Sequence, residues 1–451
     1  MAYLSTGPEN FKAALLTPAQ MQRADALAGD GARLMQAAGW AVAREIMRRY
    51  RPVRTLVLTG PGHNGGDGRV AAAYLLRAGW PVRVIDFRAA KPADVASAAL
   101  VIDAIFGAGL AREIDAHTES LLRAAGHIVA IDVPSGLDGA TGQIRGYAPQ
   151  AALTITFVRK KPGHLLFPGR ALCGELVLRD IGMADGIIAE IGPMSWETGP
   201  TLFRLPPRAV GGHKYSHGDV TILTGELPGA ARLAAMAARR AGAGMVSLAG
   251  EQASALPEAG LILRREPLAT LLQDTRRQYW LLGPGLGVVA AGEALARLLA
   301  VPGLHILADA DALTACAKAP ERLRGVEIIT PHEGEFIRLF GTIGPDKLSA
   351  ARHAARLIDA VVVLKGPDTV IAAPDGSAAI NANAPPWLAT GGTGDVLAGL
   401  IIALRARGMS AFAAACTGVW LHGAAAQAAG PGLLAEDLPA LIGRLANAGV
   451  S

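Results

Sequence analysis

The stretch Ala389-Thr390-Gly391-Gly392-Thr393-Gly394-Asp395-Val396-Leu397-Ala398-Gly399 decides how the second half of the chain is read. Apolar side chains at 396, 397, 400, 401 and 404 recur at helical spacing, and Gly408 supplies a stop after Arg405 and Arg407. The spacing predicts a helix that begins near Asp395, preceded by four small residues. Glycine there lets backbone N–H groups converge, and the helix N-terminus adds positive potential, so the turn forms an anion hole. Asp395 is expected to stay ionised at that helix start and to take a proton from a hydroxyl that attacks a phosphate. The bland reading of the same stretch is a glycine turn into a capped helix.

Working back from this stretch, five short apolar runs each end in a polar or glycine-bearing loop. They are 220–224, 279–282 before Gly283-Pro284-Gly285-Leu286-Gly287, and 305–308 before Asp309-Ala310-Asp311. The others are 327–329 before Thr330-Pro331-His332, and 360–364 before Lys365-Gly366-Pro367-Asp368-Thr369. Parallel strands place such loops along one sheet edge, around Asp395. Lys365 is a candidate phosphate contact and His332 a candidate ligand contact. Together these placements point to a nucleotide-using phosphotransferase.

The first half has a similar logic. The strand Val53-Arg54-Thr55-Leu56-Val57-Leu58-Thr59 empties into Gly60-Pro61-Gly62-His63-Asn64-Gly65-Gly66-Asp67-Gly68, read as a loop before a helix over 69–78. The order resembles a dinucleotide-binding turn, although the glycine spacing is not Gly-x-Gly-x-x-Gly. Two near-continuous apolar runs, 100–105 and 128–133, read as central parallel strands, and each carries an aspartate near its end, Asp103 and Asp132. Asn64, Asp103, Asp132 and Ser135 are expected to share one crevice. Their hard oxygens suit a small alkali or alkaline-earth cation and a hydroxylated ligand. Asp132 is read as an acid/base and ligand contact. The fold expected is α/β throughout, two domains or three in 451 residues, with the break in the proline- and glycine-rich stretch 192–212.

Composition sets outer bounds. With 51% hydrophobic and 18% charged residues the chain can fill substantial cores, and a net charge of +5 with no basic block excludes a nucleic-acid footprint. Three scattered cysteines, Cys173, Cys316 and Cys416, form neither a metal spacing nor a disulfide framework and favour a reducing cytoplasm. Residues 1–16 lack the pattern of a signal peptide, and the alanine-rich run 411–429, interrupted by His422 and Gln427, reads as a buried helix and not a membrane span.

His63-Asn64-Gly65-Gly66-Asp67-Gly68 with Asp132-Val133-Pro134-Ser135-Gly136 resembles the NAD(P)H-hydrate epimerase domain. Thr330-Pro331-His332, Gly283-Pro284-Gly285-Leu286-Gly287 and Gly391-Gly392-Thr393-Gly394-Asp395 resemble the ribokinase-like NAD(P)H-hydrate dehydratase. In this order they are similar to the bifunctional NAD(P)H-hydrate repair enzymes of bacteria. The resemblance implies a Rossmann-like epimerase domain over 1–207 and a ribokinase-like, ADP-dependent dehydratase domain over 208–451. It implies potassium on Asn64, Asp103 and Ser135. The hydrate would lie against His63, Asn64, Gly65, Gly66, Asp67, Gly107, Ala108, Gly109 and Asp132. In the second domain Ala230, Gly287, His332 and Asp395 would face the hydrate. Lys365, Gly366, Pro367, Asp368 and Thr369, with Thr390, Gly391, Gly392, Thr393 and Gly394, would hold the nucleotide. Dehydration would proceed by phosphorylation of the ring hydroxyl and loss of phosphate, aided by magnesium, with AMP as the other product.

Two positions depart from the family pattern, His63 where Asn is usual and Tyr215 where Gly is usual. The expected partners are small molecules only, with no nucleic acid and no membrane, in a homo-oligomer. Two other readings compete: a vitamin or sugar kinase fused to a Rossmann-like module, and a first domain that is only a non-catalytic binding scaffold.

Overall fold

A computed structural model describes residues 12–206, 211, 213–250 and 258–447. The chain divides into two compact units, Phe11–Ser195 and one that holds Trp196–Ser451. The division falls within the stretch 192–212 and upstream of the 207/208 break that the resemblance implies, which itself lies outside the described residues. The proline-rich stretch after Gly192 is therefore mostly lead-in to the second unit: Thr198 N–H already donates to Ile380 O at 3.0 Å.

The first unit is built on six parallel strands, β1 (Thr55–Thr59), β2 (Val82–Asp86), β3 (Leu100–Ala104), β4 (Ile128–Ile131), β5 (Leu153–Phe157) and β6 (Glu175–Arg179). Their order is β2-β1-β3-β4-β5-β6, and every pairing is parallel. β1, β3, β4 and β5 are buried along their whole length, which is what the near-continuous apolar runs imply for strands covered on both faces. From β1 the chain runs outward to β2 and then crosses back to β3 on the other side. That reversal opens a crevice at the carboxyl ends of β1 and β3.

The glycine stretch after β1 corrects the sequence reading. It is not a loop: the helix His63–Arg77 starts six residues earlier than expected and takes in Asn64 to Gly68. The glycines serve close packing. A Cβ at Gly65 would overlap the Gly60 carbonyl, and one at Gly68 would lie 2.5 Å from the Ala104 Cβ on β3.

The second unit carries a ten-stranded sheet. Its strands are β7 (Ser195–Glu197), β8 (Asp219–Leu223), β9 (Met245–Ala249), β10 (Ile262–Arg264), β11 (Tyr279–Leu282), β12 (His305–Ala308), β13 (Ile328–Ile329), β14 (Val361–Leu364), β15 (Val370–Ala372) and β16 (Ala378–Ile380). The order is β10-β9-β8-β11-β12-β13-β14-β15-β16-β7. β10 to β14 run parallel and β15 and β16 fold back antiparallel. A second reversal, between β8 and β11, puts the five predicted loops on one edge. Above it lies the helix Thr393–Ala406, whose apolar residues pack into the core with the helices Pro228–Arg240 and Ala411–Ala429. The last of these is buried as expected, and among the described residues no helix is long and apolar enough to cross a membrane.

Because Gly65 touches backbone that cannot yield, Gly65→Ala is expected to destabilise the first unit by about 1–3 kcal/mol. Hydrogen exchange would then speed up at the amides of β1 and β3 and leave β11 and β12 unchanged. Unaltered protection of β1 would contradict this packing account.

Candidate active sites

In the first unit the expected residues meet at the carboxyl ends of β1, β3 and β4. Asp103, at the end of β3, is fully buried. Its Oδ1 accepts from Ser135 Oγ at 2.6 Å and Ile105 N at 3.2 Å, and its Oδ2 accepts from Ser135 N at 2.7 Å. Burial pushes this carboxyl up. Asn64 is 8% exposed, and neither its amide oxygen nor its nitrogen has a hydrogen-bond partner. A buried orphan amide and a buried acid without an ion pair among the described residues, both at the carboxyl edge of the sheet, are donors that suit a monovalent cation.

Asp132 follows β4 with φ 68°, a left-handed conformation that costs a non-glycine residue about 1–2 kcal/mol. Four contacts hold it. Its Oδ1 accepts from Lys161 Nζ at 2.6 Å and Thr156 Oγ1 at 2.9 Å, its Oδ2 from Ala108 N at 3.0 Å, and its carbonyl from His164 Nε2 at 2.7 Å. His164 Nδ1 accepts from Lys161 N at 2.9 Å, so the ring carries its proton on Nε2. Burial and Lys161 push His164 down to about 4, keeping it neutral.

The two aspartates of the crevice titrate in opposite directions. Burial alone would raise Asp132, but Lys161, His164 and the hydrogen bonds bring it down to about 2. Lys161 lowers Asp67 as well, but it is outweighed there. Burial, with Asp132 and Asp25 as neighbouring charges, raises it to about 8. Burial raises Asp25, on the helix Pro18–Ala28, as well. At neutral pH Asp132 is therefore held ionised, whereas Asp67 keeps its proton. Gly107 lies between the two sides: a Cβ there would be 3.3 Å from Asp132 Oδ2 and 3.6 Å from Asn64. His63 and Gly109 stand exposed at the rim.

In the second unit the helix at the decisive stretch begins at Thr393, two residues before the expected start, with Gly392 at φ 87° as its cap. Thr393 Oγ1 donates to Leu388 O and Thr390 O, which fixes the turn. Gly394 faces the end of β14, where a Cβ would be 3.5 Å from Lys365 Nζ. Lys365 Nζ contacts Asp309 Oδ1 at 3.0 Å. Burial works against the ammonium, but Asp309, Glu335 and Asp395 raise it above the usual lysine value. Asp395 is ionised at neutral pH as expected, but by a small margin. The helix start does not hold it low; burial and Asp309 raise it to about 6, so it is mostly ionised at neutral pH yet basic enough to take a proton.

Around these groups, His332 caps the helix Glu333–Phe340. Its Nδ1 accepts from Gly334 N and Glu335 N, while Glu335 Oε2 accepts from His332 N. The ring is 55% exposed, with Nε2 3.6 Å from Glu335 Oε1. Gly287, at φ 90°, donates to Asp311 Oδ2 at 2.9 Å, and Ala230 lies in the first turn of the helix Pro228–Arg240. Gly366 N–H and carbonyl both bond Thr369 Oγ1, at 3.2 and 2.9 Å, closing the turn after Lys365. Asp368 is buried there against Lys347. Among the described residues no three or more His, Cys, Asp or Glu side chains converge closely enough to hold a metal alone. Three acids nevertheless share Lys365. That surplus charge fits a magnesium ion whose other ligands are phosphate and water.

Sequence reasoning missed Lys161, His164, Thr156 and Asp25 in the first unit, and Asp309, Glu335 and Lys347 in the second as site residues. Lys161 had a readable signal, a lysine four residues past an apolar strand. The others act through contacts between segments far apart in the chain. His422 was noted only as a polar break in an alanine run; it is buried near Thr393, and burial pushes it down to about 4.

Fold and sites define two α/β modules, a Rossmann-like one with an acid crevice and a ribokinase-like one with an anion turn. The family described as YjeF-related protein N-terminus matches residues 31–99 and 85–163, and the NAD(P)H-hydrate dehydratase family matches 220–443. A bifunctional NAD(P)H-hydrate repair enzyme of Moorella thermoacetica is 36% identical over 492 residues, covering 91% of each chain. The enzyme of the same description from Escherichia coli is 33% identical, covering 95% of this chain and 92% of its own. A Bacillus subtilis ADP/ATP-dependent NAD(P)H-hydrate dehydratase, solved with ATP and Mg2+, is 29% identical over 54% of this chain and 93% of its own, with a TM-score of 0.46. This chain belongs to the family of bifunctional NAD(P)H-hydrate repair enzymes. Its function is repair of hydrated NADH and NADPH, by an epimerase module and an ADP-dependent dehydratase module. The relatives support neither a vitamin or sugar kinase nor a purely binding first domain.

Lys161→Met would leave Asp132 buried without its cation, a loss of about 3 kcal/mol at neutral pH. Asp132 is lowered in the folded state, so the stability it contributes is present above about pH 4 and lost as pH falls through about 2. The penalty should shrink over that window. Urea unfolding that finds less than about 1 kcal/mol at pH 7 would contradict the anchoring role.

Proposed function

We propose that each module runs on one proton-carrying aspartate, Asp67 for epimerisation and Asp395 for dehydration. The observation that carries the reading is Asp395, raised to about 6 at the mouth of the glycine turn and close to Lys365. A hydroxyl bound there loses its proton to Asp395 as its oxygen attacks the β-phosphorus of ADP. AMP departs, and the backbone amides of Gly391 to Gly394, the helix N-terminus and Lys365 take up the charge on the transferred group. The phosphorylated ring then eliminates phosphate: the C–O bond breaks, the departing phosphate takes the proton that the neighbouring carbon gives up, and the double bond of the reduced nicotinamide returns. Ala230, Gly287 and His332 contact the hydrate. Lys365, Gly366, Pro367, Asp368 and Thr369, with Thr390 to Gly394, surround the nucleotide. Bound magnesium would offset phosphate charge, with the acids around Lys365, which are Asp309, Glu335 and Asp395, as its neighbours.

In the first module the hydroxyl-bearing ring carbon is inverted, and any route moves a proton onto or off its oxygen. Asp67, neutral at pH 7, donates that proton and recovers it. Asp132, held ionised by Lys161, stabilises positive charge that develops on the ring and orients it together with His63, Gly65, Gly66 and the Gly107-Ala108-Gly109 turn. Potassium would be held by Asn64, Asp103 and Ser135, where it neutralises the buried Asp103 and orders the crevice. The same reading makes the enzyme a cytoplasmic homo-oligomer; three free, buried cysteines support the compartment.

Asp395→Asn keeps the size and a capping oxygen but cannot take the proton. It should lower dehydration by about two to four orders of magnitude, with ADP and hydrate affinities nearly unchanged and epimerisation intact. Asp67→Asn should do the converse. The pH profiles should oppose each other: dehydration gained as pH rises through about 6, epimerisation lost as pH rises through about 8. Chromatographic assays of separated R and S hydrates that show both activities following one limb would contradict these assignments.

Potassium added in place of sodium should raise the melting temperature of the full chain, and Asn64→Ala should remove the increment. Equal stabilisation by both ions, or an increment that survives in the variant, would contradict the cation site.

A further inference from the structure

The helix Lys347–Ile358 opens with a residue that its own helix disfavours. A cation in the first helical turn opposes the macrodipole, and Lys347 is also only 9% exposed. Its ammonium is held from outside the helix. Nζ lies 2.6 Å from Asp368 Oδ1 and 3.0 Å from Glu333 Oε1, so one buried charge ties the turn after β14 to the first turn of the helix Glu333–Phe340. The ammonium also sits directly under Gly366, where a Cβ would be 2.6 Å from Nζ, 3.2 Å from Glu333 Oε1 and 3.4 Å from Asp368 Oδ1. Gly366 is therefore the residue that admits the lysine. Asp368 is 3% exposed and turns its carboxylate inward to Lys347.

We propose that Lys347 is a positioning residue that holds the turn 365–369 in its nucleotide-binding shape through Asp368 and Glu333. The proposal rests on the reading of that turn as the nucleotide loop. Without Lys347, the Asp368 carboxylate loses the ammonium 2.6 Å away and shifts toward other neighbours or solvent, which moves the backbone of Gly366 and Pro367. The hydrate contacts proposed at Ala230 and Gly287 lie on other loops, and His332 is held by its own bonds to Gly334 N and Glu335 N, so the loss falls on the nucleotide.

Calorimetric titration of the full chain with ADP, combined with steady-state kinetics, tests this. Lys347→Met should weaken ADP binding about tenfold, while the KM for S hydrate and the epimerase rate stay within about twofold. Lys347→Arg, which keeps a cation able to span two carboxylates, should recover affinity to within about threefold. Glu333→Gln removes the half-exposed partner with little risk to folding, and should weaken ADP about threefold even where the Met variant does not fold. Wild-type ADP affinity in Lys347→Met or Glu333→Gln, equal losses for ADP and hydrate, or an Arg variant no better than Met would overturn the proposal. A wild-type chain that binds no ADP would overturn the nucleotide-loop reading itself, and the proposal with it.

Discussion

A carboxylate can leave water only if something else meets its charge, and each site of this enzyme supplies too few cations for its acids. In the first module Lys161 stands among Asp132, Asp67 and Asp25; in the second Lys365 stands among Asp309, Glu335 and Asp395. Each lysine commits to one acid, at 2.6 Å for Asp132 and 3.0 Å for Asp309. The remaining acids are raised by burial and by their neighbours. The shortage is what creates proton carriers near neutral pH. Asp67 and Asp395 differ only in degree: each has two neighbouring anions and one lysine, and fuller burial takes Asp67 to about 8 against about 6 for Asp395.

The fold explains why the acids crowd. In both sheets the chain reverses its winding direction, at β1/β3 and at β8/β11, and parallel strands on either side deliver their carboxyl ends to one edge. The glycines then let chain segments touch: Gly65 against Gly60 in the first unit, and Gly366 over Lys347 in the second.

Much of this was legible in the residues. Central strands announced themselves as unbroken apolar runs, and the helix after Gly394 by its spacing. Less legible was whatever depended on contacts across the chain. The glycines of 65–68 read as a loop because glycine's flexibility is local information, while its lack of a Cβ matters only once β3 lies against the helix. Asp395 read as a helix-start anion because the macrodipole is visible in sequence, whereas Asp309, 86 residues earlier, is not. Asp132 and Asp67 could not be assigned their opposite states without Lys161, which reaches Asp132 from the far end of β5. β15 and β16, three residues each, left no periodicity to read.

The central claim is that the cation shortage leaves Asp67 protonated at neutral pH. Carbon-13 NMR of the full chain, labelled at the aspartate carboxyls, measures that proton directly, with Asp67→Asn identifying the resonance. The account predicts one carboxyl that titrates with a midpoint near 8 and disappears in the variant. A chain in which the Asp67 carboxyl titrates in the ordinary range near 4 would contradict it.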